Sequence, residues 1–228
     1  MNYRDISIPK TRQDYNLIAQ DFSSRRQIIS PDMKSLGQFV KDGDSVMDFG
    51  CGDGRLLKAI KAKNINYFGT DISNEMIKIA IKQFPERLFS TYKPTLLKRY
   101  NNYFEIIFSI AVFHHIPENK RLNTLRLLYS CLKPGGQLIL TVWQANKNIR
   151  LIKWTKILDR AADYFVPYTT KNNITVNRYI HLYSKEELEN LLLSSGFTNI
   201  KISESFRGNT VVNSNFVVRA LKPNRLSN

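Results

Sequence analysis

"SVMDFGCGDGRLL", residues 45–57, packs three glycines into five positions between two apolar runs, with Asp48 and Asp53 on either side of the middle glycine. "SVMDFG" reads as a buried strand and residues 54–63 as a helix, so Gly50, Gly52 and Gly54 fall where a strand turns into a helix. In an open α/β sheet that turn lies at the carboxyl edge, where ligands bind. Glycine there permits positive φ and lets the backbone approach a ligand with no Cβ in the way. A dinucleotide fingerprint would read G-x-G-x-x-G, but its third glycine position here is Arg55. Instead, Asp71 ends the next strand, placed to accept hydrogen bonds from ribose hydroxyls. Acidic groups around a glycine turn suit a cationic or uncharged ligand better than a diphosphate.

Outward from this turn the elements alternate. "YFGTD" at 67–71 reads as a strand, and 74–84 as a helix capped by Ser73 with Met76, Ile77, Ala80 and Phe84 on one stripe. After a poorly patterned stretch, "YFEIIFSIAVF" reads as a buried strand, 118–131 as a helix, "LKPGG" as a turn and "QLILTVW" as a strand. Upstream, 14–28 and 31–40 read as helices. Downstream, "LYSKEELENLLLSSGF" has a Ser184 and Glu187 capping box and a Gly196 stop, followed by two strands joined across "RGNT". The expected fold is α/β, a doubly wound, mostly parallel seven-stranded sheet ending in an antiparallel hairpin. It is expected as one domain: a helical cap at 1–43, a ligand-binding core at 44–143, a basic insertion at 144–183, and a helix and hairpin at 184–221.

Composition bounds the partners. The 228 residues are 43% hydrophobic, enough for a sizeable core, and the longest apolar run is too short to cross a bilayer. A cytoplasmic protein is expected. Two cysteines, Cys51 and Cys131, indicate reduced thiols with no disulfide or metal framework. With 34 Lys and Arg against 19 Asp and Glu, the formal charge is +15. Nucleic acid is therefore a live partner, and a basic but otherwise ordinary enzyme stays open. In the stretch 149–165, Leu151, Trp154, Leu158, Ala161 and Phe165 repeat at three and four, with Lys153, Lys156 and Arg160 opposite. This predicts an amphipathic helix whose basic face is a nucleic-acid backbone contact, a contact for another acidic partner or a solvated surface.

"VMDFGCGDGRLL", "YFGTDIS", "IIFSIAVFHHI" and "CLKPGGQLILTVW", in order along 45–143, resemble the successive motifs of class I S-adenosylmethionine-dependent methyltransferases. The resemblance implies a Rossmann-like fold and S-adenosylmethionine as cofactor. By it, Asp48 orients the glycine loop and the sulfonium-side amine, Gly50 and Gly52 face the methionine and ribose parts, and Asp71 holds the ribose diol. Cys51, Ile72, Met76 and Ile110 complete the implied cofactor set. The family often has an acidic residue near the adenine amine after the third strand. Here "STYKPTLLKRY", from Ser90 to Tyr100, has no carboxylate, so Ser90, Thr91 and Tyr92 stay open as contacts.

"YNLIAQDFSSRR", "SIAVFHHI", "LTVWQANK" and "RYIHLYSKEELENLLLSSGF" are similar to segments of the tRNA wobble-uridine 5-carboxymethyl methyltransferases, which esterify a carboxymethyl group on the anticodon's first base. That resemblance implies a tRNA substrate and, because the eukaryotic enzymes work with a small zinc-containing activator subunit, a possible partner of that kind. A carboxylate acceptor is already ionised at neutral pH and needs no general base, but it needs a cation or hydroxyl to fix its direction. Arg178 with Tyr179 is the nearest pair, and His181 joins them as an expected substrate contact. Methylation at a uracil carbon would call for a cysteine nucleophile, and both cysteines are committed elsewhere. His114, after a buried strand, is a candidate base or packing residue. A small-molecule O- or N-methyltransferase and a non-catalytic S-adenosylmethionine-binding protein remain alternatives.

Overall fold

The computed structural model describes residues 6–29, 31–145, 156–157, 162–206 and 214–224. Helices α1 (Ile8–Ser24) and α2 (Pro31–Gly37) precede β1 (Ser45–Phe49), β2 (Asn66–Asp71), α3 (Asn74–Gln83), β3 (Leu88–Thr91), α4 (Pro94–Leu97), β4 (Phe104–Ile110), α5 (Glu118–Cys131) and β5 (Leu132–Trp143). Then come β6 (Lys156–Ile157), β7 (Asp163–Thr169), β8 (Thr175–His181), α6 (Lys185–Leu193), β9 (Thr198–Phe206) and β10 (Ser214–Leu221).

Seven strands form one sheet in the order β3-β2-β1-β4-β5-β10-β9. The first five are parallel, and β10 runs antiparallel to both β5 and β9. This is the expected mostly parallel sheet with an antiparallel end. Period-two alternation builds it: Val46, Ile106 and Phe108 face one core with α2 and α3, while Met47 and Ile107 face the other with α5 and α6. From β1 the chain winds outward to β2 and β3, and from β4 it winds the other way. The carboxyl ends of β1 and β4 therefore flank the switch point of the sheet, where a crevice opens.

Several elements differ from their expected form. The helix at 54–63 shrinks to one 3-10 turn, Arg55–Lys58. Gly54 enters it with φ 78°, and Gly37 of α2 packs so close that a Cβ there would lie 2.3 Å from the Ala59 carbonyl oxygen. "LKPGG" is not a separate turn but the irregular start of β5, where Leu132 pairs with Phe104 and Gln137 with Ile106. Lys222 brackets it, its N–H donating to Gly136 O and its carbonyl accepting from Gly135 N. The poorly patterned stretch holds β3 and α4, and α1 begins at Ile8 rather than residue 14, capped by the Ser7 hydroxyl accepting from Lys10 N–H.

The amphipathic helix over 149–165 is overturned at Lys156–Ile157 and Asp163–Phe165, which are strands. "DYFVPYT" pairs antiparallel with "TVNRYIH", Phe165 opposite Tyr179 and Val166 opposite Arg178. Aromatic and β-branched residues that can pair across strands outweigh a three-and-four spacing that has no partner. Lys153, Arg160 and the Lys156 side chain lie outside the described residues.

Candidate active site

The crevice at the switch point is a cavity of about 400 Å³. Its floor is the glycine turn: Gly50 at φ 80° and Gly52 at φ 56° bend β1 away from the sheet, and their N–H groups are held from β2. Gly50 N donates to Thr70 O at 2.6 Å, and Gly52 N donates to Asp71 Oδ2 at 3.0 Å. The other oxygen of Asp71 accepts from Ser73 N at 2.8 Å, tying the loop after β2 to the same carboxylate. Asp48 accepts from the Tyr67 hydroxyl at 2.9 Å and is 2% exposed. Asp53 accepts from Ser23 of α1 at 2.6 Å.

Three carboxylates thus converge on the floor. Burial raises the Asp48 carboxyl to about 7, reinforced by the charges of Asp71 and Asp53 and opposed by Tyr67 and Arg55. Burial also raises Asp71, against the backbone donors Ser73, Gly52 and Ile72. Such a floor favours a cationic ligand, and the sign of the coupling follows. A ligand cation favours the ionised Asp48, so cofactor affinity should be constant above about pH 7 and fall by up to about tenfold per unit below it. Calorimetry in buffers of different ionisation enthalpy should find proton release at pH 7 that vanishes by pH 8.5. An affinity independent of pH from 6 to 8.5 would remove Asp48 from the ligand's surroundings.

The walls come from both sides of the switch point. Ile72, Met76, Tyr92 and Pro94 stand on the β2 and β3 side, and Ile110, Ala111 and Val112 on the β4 side. Ala111 takes φ 59°, uncommon for a residue with a side chain. Its N–H donates to both the carbonyl and the hydroxyl of Thr141, which hold it there.

The roof is built outside the sheet. Ile8, Thr11, Arg12, Tyr15 and Phe22 form one face of α1, Arg26 follows just after its end, and Arg178 reaches in from β8. His115 joins these pieces. Its Nδ1 lies 2.7 Å from Tyr179 O, and since a carbonyl only accepts, Nδ1 carries the proton. Nε2 then accepts from the Tyr15 hydroxyl at 2.8 Å. Burial, with the nearby charge of Arg178, lowers this imidazole to about 3, so it is neutral.

Arg178 is 8% exposed, its Nε has no hydrogen-bond partner, and no carboxylate among the described residues pairs with it. It rests instead near the rings of Tyr168 (5.3 Å) and Phe22 (5.9 Å).

All eight residues expected around the cofactor, Asp48, Gly50, Cys51, Gly52, Asp71, Ile72, Met76 and Ile110, line this cavity, as do Arg178 and His114. His114 is buried with its ring 5.1 Å from that of Trp143. The structure does not bring Tyr179 or His181 there. Successive strand residues point to opposite faces, so with Arg178 inward Tyr179 points away. Its hydroxyl donates to Asp163 and accepts from Arg121, both at 2.9 Å. His181 sits between Asp163 (2.6 Å) and Glu187 (2.9 Å), whose hydrogen bonds raise its pKa although burial opposes them. Arg121 also reaches Glu187 at 3.2 Å. This buried network fastens β7 and β8 to α5 and α6. Of the three adenine candidates, only Tyr92 lines the cavity.

Tyr15, Phe22, Arg12 and Trp143 were not expected at the site. The signal for the first three lay in the spacing 8, 11, 12, 15, 22 and 26, one helical face carrying basic and aromatic residues together. Trp143 ends β5 and has no such signature.

The floor fits S-adenosylmethionine. A Cβ on Gly52 would meet nothing within 4 Å, so bare backbone faces the cavity, and the acidic floor matches a sulfonium and an ammonium. A seven-stranded sheet of this order with an acidic glycine turn at its switch point defines a Rossmann-like S-adenosylmethionine-dependent methyltransferase. The match of residues 23–202 to a family model described as a methyltransferase domain places the chain in that family. It is 31% identical over 181 residues to the tRNA (carboxymethyluridine(34)-5-O)-methyltransferase of Arabidopsis thaliana, covering 77% of this chain and 44% of that protein. It is 27% identical over 204 residues to the Schizosaccharomyces pombe enzyme of the same name, covering 81% of this chain and 86% of that one. A solved S-adenosylmethionine-dependent methyltransferase from Methanosarcina mazei superposes with a TM-score of 0.69 at 18% identity, over 86% of this chain and 99% of that chain.

Asp71 provides a direct test of the floor. Asp71→Ala frees the Gly52 and Ser73 N–H groups and removes the carboxylate expected to hold the ribose, and should weaken S-adenosylmethionine binding by about 1 to 3 kcal/mol. Calorimetry giving the parent affinity in a folded variant would take Asp71 out of the ribose role. Among the described residues, no three His, Cys, Asp or Glu are grouped to hold a metal ion, and no helix is long and apolar enough to cross a membrane.

Proposed function

We propose that this methyltransferase esterifies the carboxymethyl group of a modified wobble uridine in tRNA. The observation that carries the proposal is Arg178, a buried guanidinium aimed into the cavity with no carboxylate beside it among the described residues. An unpaired buried cation is costly, and an anionic acceptor removes that cost while being aligned by it. The names of the Arabidopsis and fission yeast relatives and the excess of basic residues support RNA as the bearer of that anion.

S-adenosylmethionine supplies an electrophilic methyl group when bound. The chain's task is then alignment. Two N–H groups of Arg178 would fix both acceptor oxygens, and an ionised carboxylate needs no proton removed. Neutral His115, held between Tyr15 and Tyr179 O, fits a structural part better than that of a base. His114 serves in this reading as a wall of the acceptor space. The resemblance to enzymes with an activator subunit extends the proposal to such a partner, β3, with its exposed Leu88, being an edge strand among the described residues and so a place for strand addition.

The test is incubation with methyl-labelled S-adenosylmethionine and bulk tRNA, in parallel with a metabolite extract, followed by mass spectrometry. The expected product is the methyl ester of 5-carboxymethyluridine. Label confined to small molecules would overturn the reading in favour of a small-molecule methyltransferase.

A further inference from the structure

The cavity mouth carries a feature that extends beyond the carboxylate clamp of Arg178. Three arginines interleave with two aromatic rings where α1 meets the β7–β8 hairpin. Arg26 lies 3.6 Å over the ring of Phe22, and Phe22 lies 5.4 Å from Tyr168. Arg178 sits beside both rings, and Arg25 covers Tyr168 at 5.5 Å. Phe22, Arg26 and Arg178 line the cavity, whereas Arg25 and Tyr168 do not. The stack therefore runs from the pocket wall outward, ending at Arg25, whose side chain is 41% exposed.

Four basic residues gather here, Arg25, Arg26, Lys171 and Arg178, together with the carboxylate of Asp21. Asp21 is engaged: it accepts from the Tyr168 hydroxyl at 2.7 Å and from Lys171 N at 2.9 Å, and pairs with Arg25 at 2.9 Å. These bonds join α1 to the hairpin, where the Phe22 and Tyr168 rings are tilted by 59° to each other.

We infer that this arginine–aromatic stack binds the unpaired nucleotides flanking the acceptor base, making it a single-stranded RNA track that leads into the pocket. The inference rests on the wobble-uridine reading. Guanidinium planes and aromatic faces stack on splayed-out bases of any sequence, and the same guanidinium groups meet the phosphates between them. A base withdrawn from its neighbours into a pocket leaves those neighbours unstacked, and aromatic and guanidinium faces continuous with the pocket wall offer them new surfaces to stack on.

The experiment measures binding of an anticodon stem–loop RNA with plain uridine at the wobble position, which has no carboxylate for Arg178. Arg25→Gln and Tyr168→Leu should each lose affinity about three- to tenfold. Arg25→Gln should also lower the salt slope by about 0.7. S-adenosylmethionine affinity should not change in either.

Tyr168→Phe separates the track from a mere clasp, because it keeps the ring and breaks the bond to Asp21. It should bind the RNA within about twofold of the parent, and a loss as large as that of Tyr168→Leu would overturn the track. Unchanged RNA affinity in Arg25→Gln and Tyr168→Leu, in a protein that does methylate tRNA, would overturn the track alone. Absence of label from all RNA would overturn the reading beneath it.

Discussion

Arg178→Lys is expected to lose methyl transfer to a carboxylate acceptor by about a hundredfold in single turnover, while binding S-adenosylmethionine as the parent does. Lysine keeps the charge but presents a point donor in place of a planar fork, so the acceptor oxygen drifts off the line of attack. Arg178→Ala should be slower still, since nothing then offsets the cost of burying the acceptor's charge. Thermal stability supplies an independent readout. The acids near in sequence are taken elsewhere, Glu187 by Arg121 and His181, so removing Arg178 breaks no ion pair among the described residues. It deletes a buried cation that no carboxylate among the described residues offsets, and the alanine variant should melt no lower than the parent. Full activity in a stable Arg178→Ala protein would sink the carboxylate clamp, and a large drop in melting temperature would make Arg178 a structural residue.

The second large effect separates two glycines that look alike in sequence. At Gly50 an added Cβ would lie 2.2 Å from Val112 Cγ2 with φ at 80°, so Gly50→Ala must push the β4 loop aside and strain the turn. Both stability and S-adenosylmethionine affinity should fall, the affinity by more than about thirtyfold. At Gly52 the same atom meets no protein, only the cavity. Gly52→Val should therefore abolish cofactor binding by occupying its space, with a stability loss of only about 1 to 2 kcal/mol from the left-handed backbone. Thermal melts paired with calorimetry test this. Equal stability losses at the two positions, or near-normal cofactor affinity in Gly52→Val, would refute the close-approach geometry.

The floor of the site was readable because each of its parts is local: the glycines, Asp48 and Asp71 sit at the ends of strands whose apolar alternation is plain. The fold class followed from the same alternation. The roof was harder to read because its parts meet only through tertiary packing. Residues 163–169 carry a helical spacing at their front edge, yet they pair with 175–181, and a one-dimensional pattern does not register a partner strand. That pairing sends Arg178 inward and Tyr179 outward, so two neighbours with similar chemistry part company. The Arg121 network that absorbs Tyr179 and His181 draws on four separate elements, and no spacing announces it.

Floor and roof also come from different stretches of chain. Residues 48–76 and 110–112 form the floor and walls, while 8–26 and Arg178 form the roof, which the proposed reading turns toward the acceptor, and neither roof segment contributes a strand to the seven-stranded sheet. A substitution on the outer face of α1 or the β7–β8 hairpin leaves the ladder beneath it intact. The molecule is thus modular in its tolerance to change: the roof can diversify toward new acceptors while the floor stays as it is, so variants selected on altered substrates should gather in α1 and the hairpin.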